Sequence, residues 1–195
     1  NHWMEAPRRL GAKVSRLIGA EPHEVVVADS TSINIFKALS ACLQLRPERS
    51  VILSETGNYP TNVYMMQGLA ETSGGRVEQK LVPTGEIVEA LDETVAALLI
   101  TQAHYKSGYL HDMMAITEAA HAAGVLVIWD LCHSAGALPI DLNGCRADFA
   151  VGCGYKYLNG GPGAPAFIYV AERHQNAVTP VLSGWLGHAR PFDFV

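Results

Sequence analysis

The chain has 195 residues, of which 49% are apolar and 17% charged, enough for one large domain with a sizeable core. Its net charge of −5, with no basic stripe, argues against nucleic acid as a main partner. No apolar run reaches the roughly 20 residues a bilayer-spanning helix needs, and the first residues do not read as a signal peptide.

In chain order, hydrophobic spacing predicts a helix over 8–18, a strand over 25–29, a helix over 32–44 and a strand over 50–54. A helix over 61–72, a strand over 77–82, a short helix over 86–91 and a strand over 97–101 follow. The remaining elements are a helix over 114–123 and strands over 125–130, 149–152 and 166–170. Most of the strands are nearly continuous apolar runs, the pattern of strands covered on both faces. The expected fold is therefore α/β: a mostly parallel seven-stranded sheet with helices on both faces. No internal repeat or flexible linker divides the chain, so residues 1–195 read as one domain. Asn at the start and Pro-Phe-Asp-Phe-Val at the end suggest a piece of a longer reading frame. Cys42, Cys132, Cys145 and Cys153 show no Cys-x-x-Cys spacing, so buried thiols in a reducing, cytoplasmic setting are expected.

In parallel sheets, ligands bind beyond the carboxyl ends of the strands. Four predicted strand ends carry polar groups there. Asp29-Ser-Thr-Ser-Ile-Asn34 leaves a strand and opens a helix, so Thr31 and Ser32 sit at the positive end of a helix dipole, where a phosphate binds well. An ordinary helix cap is the plainer explanation for that segment taken alone. Tyr59, in Asn58-Tyr-Pro-Thr-Asn62, is placed to lay its ring on a flat heteroaromatic ligand, or is simply an exposed aromatic in a proline turn. Thr101 ends the fourth strand. Asp130 ends the fifth, with His133 in the same loop. A buried aspartate needs a cationic partner, and a pyridinium is a good one. A metal bound by Asp130, Cys132 and His133 is the weaker alternative, because adjacent residues splay apart. Lys156 lies in the glycine-rich turn Gly152-Cys-Gly-Tyr-Lys-Tyr-Leu-Asn-Gly-Gly-Pro-Gly163, flanked by Tyr155 and Tyr157. A lysine and an aspartate at one sheet edge are what pyridoxal 5'-phosphate requires: the amine forms a Schiff base with the aldehyde, and the carboxylate keeps the ring nitrogen protonated. Trp185, among glycines, is either a packing residue or a wall of the site. His2, His104, His111, His121 and His174 lack ligand spacing and read as surface or structural residues.

Three stretches carry a family resemblance: Ala28-Asp-Ser-Thr-Ser-Ile-Asn-Ile-Phe-Lys37, Trp129-Asp-Leu-Cys-His-Ser-Ala-Gly-Ala137 and the Lys156 turn through Ala164. With them the chain resembles the kynureninases, fold-type I pyridoxal phosphate enzymes of the class V aminotransferase-like superfamily, along essentially its whole length. The resemblance implies cleavage of the Cβ–Cγ bond of L-kynurenine, or of 3-hydroxykynurenine, to anthranilate or 3-hydroxyanthranilate and L-alanine. That reaction belongs to tryptophan catabolism and leads toward NAD biosynthesis. It further implies that Lys156 carries the cofactor, that Asp130 faces the pyridine nitrogen with His133 beside it, and that Thr31 and Ser32 bind the phosphate. Tyr59 would stack on the ring. Thr101 falls where the family has a cofactor-contacting Ser or Thr, Tyr155 would touch the phosphate and help proton transfer, and Trp185 would reach the cofactor across a homodimer interface. Asn62 departs from the family's usual Asp in this cofactor-binding turn. The family's chain is about twice as long, so a small C-terminal domain and an N-terminal segment are expected outside these residues. A cysteine desulfurase, a class V aminotransferase and a non-catalytic cofactor-binding fragment are the alternatives. A desulfurase needs a nucleophilic Cys on a mobile loop, for which the sequence shows no candidate.

Overall fold

The computed structural model describes residues 2–184, 187–188 and 190–193. All seven expected strands form, and they join one sheet in the order β1-β7-β6-β5-β4-β2-β3. They are β1 (Val25–Val27), β2 (Val51–Glu55), β3 (Glu78–Val82), β4 (Val95–Thr101), β5 (Leu126–Asp130), β6 (Phe149–Cys153) and β7 (Ala166–Val170). Only β7 runs against its neighbours, pairing antiparallel with β1 and β6. The other pairs are parallel, as the apolar runs predict.

Every residue of β2, β4, β5 and β6 is buried, because helices cover both faces. Side chains alternate between the faces along each strand. On one face, Leu98, Ile100, Val127 and Trp129 meet Met113, Ile116 and Ala120 of α4 (Met113–Ala122). On the other, Ala97, Leu99, Leu126 and Ile128 meet Ile35 and Leu39 of α2 (Thr31–Leu45) and Met66 and Leu69 of α3 (Pro60–Thr72). Edge strand β3 (Glu-Gln-Lys-Leu-Val) is largely exposed, and its charges guard an open edge against pairing with another chain.

The structure corrects several boundaries. The helix expected over 8–18 is α1 (Ala6–Val14), followed by a 3₁₀ turn over Ser15–Leu17. There the Ser15 hydroxyl donates back to the Ala12 carbonyl at 3.1 Å, a bond that competes with helix continuation. Strand β1 stops at Val27 rather than at 29, because Asp29 takes a positive φ of 52° that no strand can continue through. The helix expected over 86–91 does not form. A 3₁₀ turn over Thr84–Glu86 and a run of turns replace it. The four-residue α5 (Glu172–Gln175) was not expected from the sequence.

A buried charge fixes the amino ends of β5 and β6. Asp148, 1% exposed, accepts hydrogen bonds from the Val127 amide at 2.9 Å, His121 Nε2 at 2.8 Å, His174 Nε2 at 2.8 Å and Arg173 Nη2 at 2.7 Å. Burial alone would raise its pKa, but the bonds to His121 and His174 win and hold it well below the usual carboxylate range. A depressed folded-state pKa stabilises the fold above the unfolded value and loses that contribution as pH falls through the folded one. Its stabilisation should therefore be complete above about pH 5 and shrink below about pH 4. Asp148→Ala leaves the buried Val127 amide and three partly exposed side-chain donors without their acceptor and should cost about 1–3 kcal/mol at neutral pH. Denaturant melts of both proteins from pH 3 to 7 check this: the difference between them should narrow toward the acid end.

Candidate active site

The site is assembled from the loops that leave the carboxyl ends of β1, β2, β4, β5 and β6. After β1, Ser30 caps α2 by accepting the Ile33 amide at 3.4 Å, so Thr31 and Ser32 occupy the first turn of a fifteen-residue helix. The buried Asn34 donates from Nδ2 to the Ala28 carbonyl at 3.0 Å, and Lys37 pairs with Asp29 at 2.5 Å; both hold this loop against its helix.

Asp130, 2% exposed, closes β5. Its Oδ1 accepts the Cys132 amide at 2.8 Å and its Oδ2 accepts Asn62 Nδ2 at 2.7 Å. Asn62 lies on α3 and is positioned in turn by Asn58, whose Oδ1 accepts from the same Nδ2 at 3.1 Å. Asn58 Nδ2 donates to Ser54 Oγ at 2.8 Å and to the Leu99 carbonyl at 3.2 Å. A buried polar line thus runs from β2 to the carboxylate at the end of β5. Both carboxylate oxygens are engaged by neutral donors, and no cation among the described residues forms an ion pair with it.

Lys156 lies in the turn after β6, where its Nζ is 2.9 Å from His133 Nε2. Burial, with the Lys156 charge beside it, lowers the pKa of His133. A neutral imidazole follows, and its Nε2 accepts from the ammonium. The Tyr59 and Tyr155 ring centres lie 5.4 and 5.6 Å from Nζ, within cation–π range. Burial raises the pKa of the Tyr155 phenol. Gly136, at a φ of 88°, lets the two loops close on one another: a Cβ there would sit 2.6 Å from the Tyr157 carbonyl oxygen.

The structure brings Thr31, Tyr59, Asn62, Asp130, His133, Tyr155 and Lys156 to this one edge. Thr101, 1% exposed, is there too, but its hydroxyl is turned to the carbonyls of Ala103 at 3.2 Å and Asp130 at 3.3 Å. Trp185 lies outside the described residues. Cys132 and His133 face different partners, Thr31 Oγ1 at 3.5 Å and Lys156, and no group of His, Cys, Asp and Glu that could hold a metal occurs among the described residues. The sequence reading missed Tyr105. Its ring lies 5.1 Å from that of Tyr59 and 6.3 Å from that of His133, so it packs behind two of the rings that border the lysine. Its position a few residues past the end of β4 was the available signal.

The donor set has the chemistry of one ligand class. A helix N-terminus with hydroxyls suits a phosphate monoester. A buried carboxylate lacking a cation suits a protonated ring nitrogen, and an amine beside a neutral imidazole suits an aldehyde. An α/β fold with this donor set suits the pyridoxal phosphate-dependent class of enzymes. The chain belongs to the aminotransferase class-V family, whose model matches residues 2–188. Within it the sequence is similar to kynureninases. It is 54% identical over 191 residues to the kynureninase of Deinococcus radiodurans, covering 98% of this chain and 46% of that one. It is 49% identical over 195 residues to the kynureninase of Burkholderia mallei, covering 97% and 47%. The chain thus spans about half the length of the curated relatives it matches. Among solved structures, a NifS-like protein superposes with a TM-score of 0.78 at 18% identity, covering 94% of this chain and 52% of that one. A cysteine desulfurase from Escherichia coli superposes with a TM-score of 0.75 at 20% identity, covering 94% and 48%. At that identity they share the fold. No helix among the described residues is long and apolar enough to cross a membrane.

Proposed function

We propose that residues 1–195 form the cofactor-binding large domain of a kynureninase, which hydrolyses L-kynurenine or 3-hydroxykynurenine to L-alanine and anthranilate or 3-hydroxyanthranilate. The observation that carries this reading is the meeting of Lys156, Asp130 and the α2 N-terminus at one sheet edge, in a chain 54% identical to a kynureninase. When bound, pyridoxal 5'-phosphate supplies an electron sink for the bonds at the substrate α-carbon.

The rest is work for the chain's own side chains. Lys156 would hold the cofactor through Nζ and is the base placed to move the substrate Cα proton. His133, kept neutral by burial, accepts from that nitrogen and fixes its direction. Asp130, oriented by Asn62 and the Cys132 amide, faces the ring nitrogen. Thr31 and Ser32 anchor the phosphate, and Tyr59 covers the ring. Thr101 lies beneath, and Tyr155, whose phenol stays protonated, serves proton transfer near the phosphate. Water adds to the γ-carbonyl carbon, the Cβ–Cγ bond breaks, and Cβ takes a proton as alanine leaves. Asn62 supplies a neutral donor to Asp130, so a single carboxylate bears the ring charge in this chain.

The functional unit we propose is a cytoplasmic homodimer, with Trp185 as the residue that reaches the neighbouring site. Four buried free thiols fit a reducing compartment. The exposed Tyr155 and Tyr157 beside the lysine leave aromatic surface for a second subunit to cover. The complete protein, loaded with pyridoxal phosphate, should release fluorescent anthranilate from L-kynurenine. Sulfide released from L-cysteine without anthranilate from kynurenine would replace this reading with a desulfurase.

A further inference from the structure

Cys132 and Cys153 are neighbours on the floor of this site. Asp130 of β5 lies opposite Val151 of β6; two residues on, Cys132 stands in the turn that leaves β5 and Cys153 ends β6. Adjacent strands are about 4.8 Å apart, inside the roughly 4.4–6.8 Å Cα separation that a disulfide spans. Cys153 Sγ donates to the Cys132 carbonyl oxygen at 3.8 Å. Cys132 Sγ is 3.5 Å from Thr31 Oγ1 at the head of α2, and Cys153 begins the turn that carries Lys156.

We propose that Cys132 and Cys153 form an oxidisable dithiol whose conversion to a disulfide by a peroxide closes the site to its phosphate-bearing ligand. The Cys153 sulfur attacks one peroxide oxygen. An S–O bond forms, the O–O bond breaks, and the departing hydroxide takes a proton to leave as water. The Cys132 sulfur then attacks the Cys153 sulfenic acid. The S–S bond forms, the S–O bond breaks, and the second hydroxide leaves as water with the Cys132 proton. Both thiols are oxidised and the peroxide is reduced to two waters.

The four cysteines are not equivalent for this chemistry. Burial pushes the Cys42 and Cys145 thiols up. Cys153 is pulled down to about 6, first by the neighbouring Cys132 thiol, then by the residue 156 amide and the Lys156 charge. Its partner Cys132 is pushed up, so Cys153 is the readier of the two to ionise. The thiolate is the nucleophile. Cys132 touches half-buried Thr31, and Cys153 leads into the Lys156 turn, so both stand beside the crevice. Linking the sulfurs draws Cys132 away from Thr31 and ties the Asp130 loop to the lysine turn, which is how the link acts on ligand entry.

The effect on ligand entry rests on the cofactor assignment above; formation of the link does not. The complete protein, without added cofactor, is treated with hydrogen peroxide, its remaining thiols are alkylated, and its peptides are mapped by mass. The expected result is a Cys132–Cys153 linked peptide, lighter by two hydrogens and released by dithiothreitol. In Cys132→Ser, Cys153 should instead advance to sulfinic acid. Pyridoxal phosphate uptake, read by absorbance, should be lost in the linked protein and return with dithiothreitol. Peroxide that oxidises methionines yet leaves both thiols free, or a link to Cys42 or Cys145, overturns the pair. A linked protein with unchanged uptake overturns the closure. A reduced protein that takes up no pyridoxal phosphate defeats the cofactor assignment instead, and the mass map still decides the pair.

Discussion

Lys156→Ala should abolish the visible absorption of the bound cofactor and lower kynurenine turnover by at least about 10⁴-fold. The expectation follows from where Nζ sits. It is 2.9 Å from a neutral His133, between the Tyr59 and Tyr155 rings, and no carboxylate among the described residues pairs with it. An ammonium so placed contributes little to folding, so the variant should melt near the wild-type temperature. Both halves are measurable on the complete protein, by absorbance and by thermal unfolding. Borohydride reduction of the wild-type protein, followed by peptide mapping, should place the cofactor on Lys156. Label on another lysine, or turnover that survives the substitution, removes this assignment.

Asp130→Asn should be nearly as damaging to activity, for two separable reasons. Removing the negative charge opposite the ring nitrogen costs on the order of 10²–10³-fold in turnover, the size of a lost preorganised electrostatic contact. The same change also disturbs the apoprotein. Both Asp130 oxygens accept, one from Cys132 N–H and one from Asn62 Nδ2. An asparagine offers one acceptor, and its NH₂ must face a donor, at a cost of about 1–3 kcal/mol. Adding Asn62→Asp reverses donor and acceptor across that 2.7 Å contact. The double variant should therefore recover part of the stability while its turnover stays low, because the carboxylate has moved to α3. Recovery of turnover together with stability would show that the position of the charge is immaterial.

Much of this molecule could be read before any coordinates. The apolar runs that became β2, β4, β5 and β6 carry no alternation, and covering on both faces is the arrangement that buries them all. Because the strands are parallel, their carboxyl ends share an edge, so Thr31, Tyr59, Thr101, Asp130 and Lys156 could be assigned to one crevice from strand ends alone. The resemblance in three motifs held at the level of the family. Local signals misled where they were weak. The segment over 86–91 has apolar spacing, yet Ile87 is buried by the tertiary fold without a helix.

Sequence by itself therefore determined the layer architecture, the edge that carries the chemistry and the residue types that suit a phosphate, a ring cation and an aldehyde. These follow from periodicity and from which side chains stand at strand ends, both local properties of the chain. Only the tertiary structure decided the partners. Asn62 lies 68 residues from Asp130 and Cys132 lies 101 from Thr31, and nothing in local spacing pairs them. The line from Ser54 to Asp130, the ring of Tyr105 beside His133 and the four donors on Asp148 belong to the same class. Each forms because a buried polar group must find its partner among whatever the fold brings within about 3 Å.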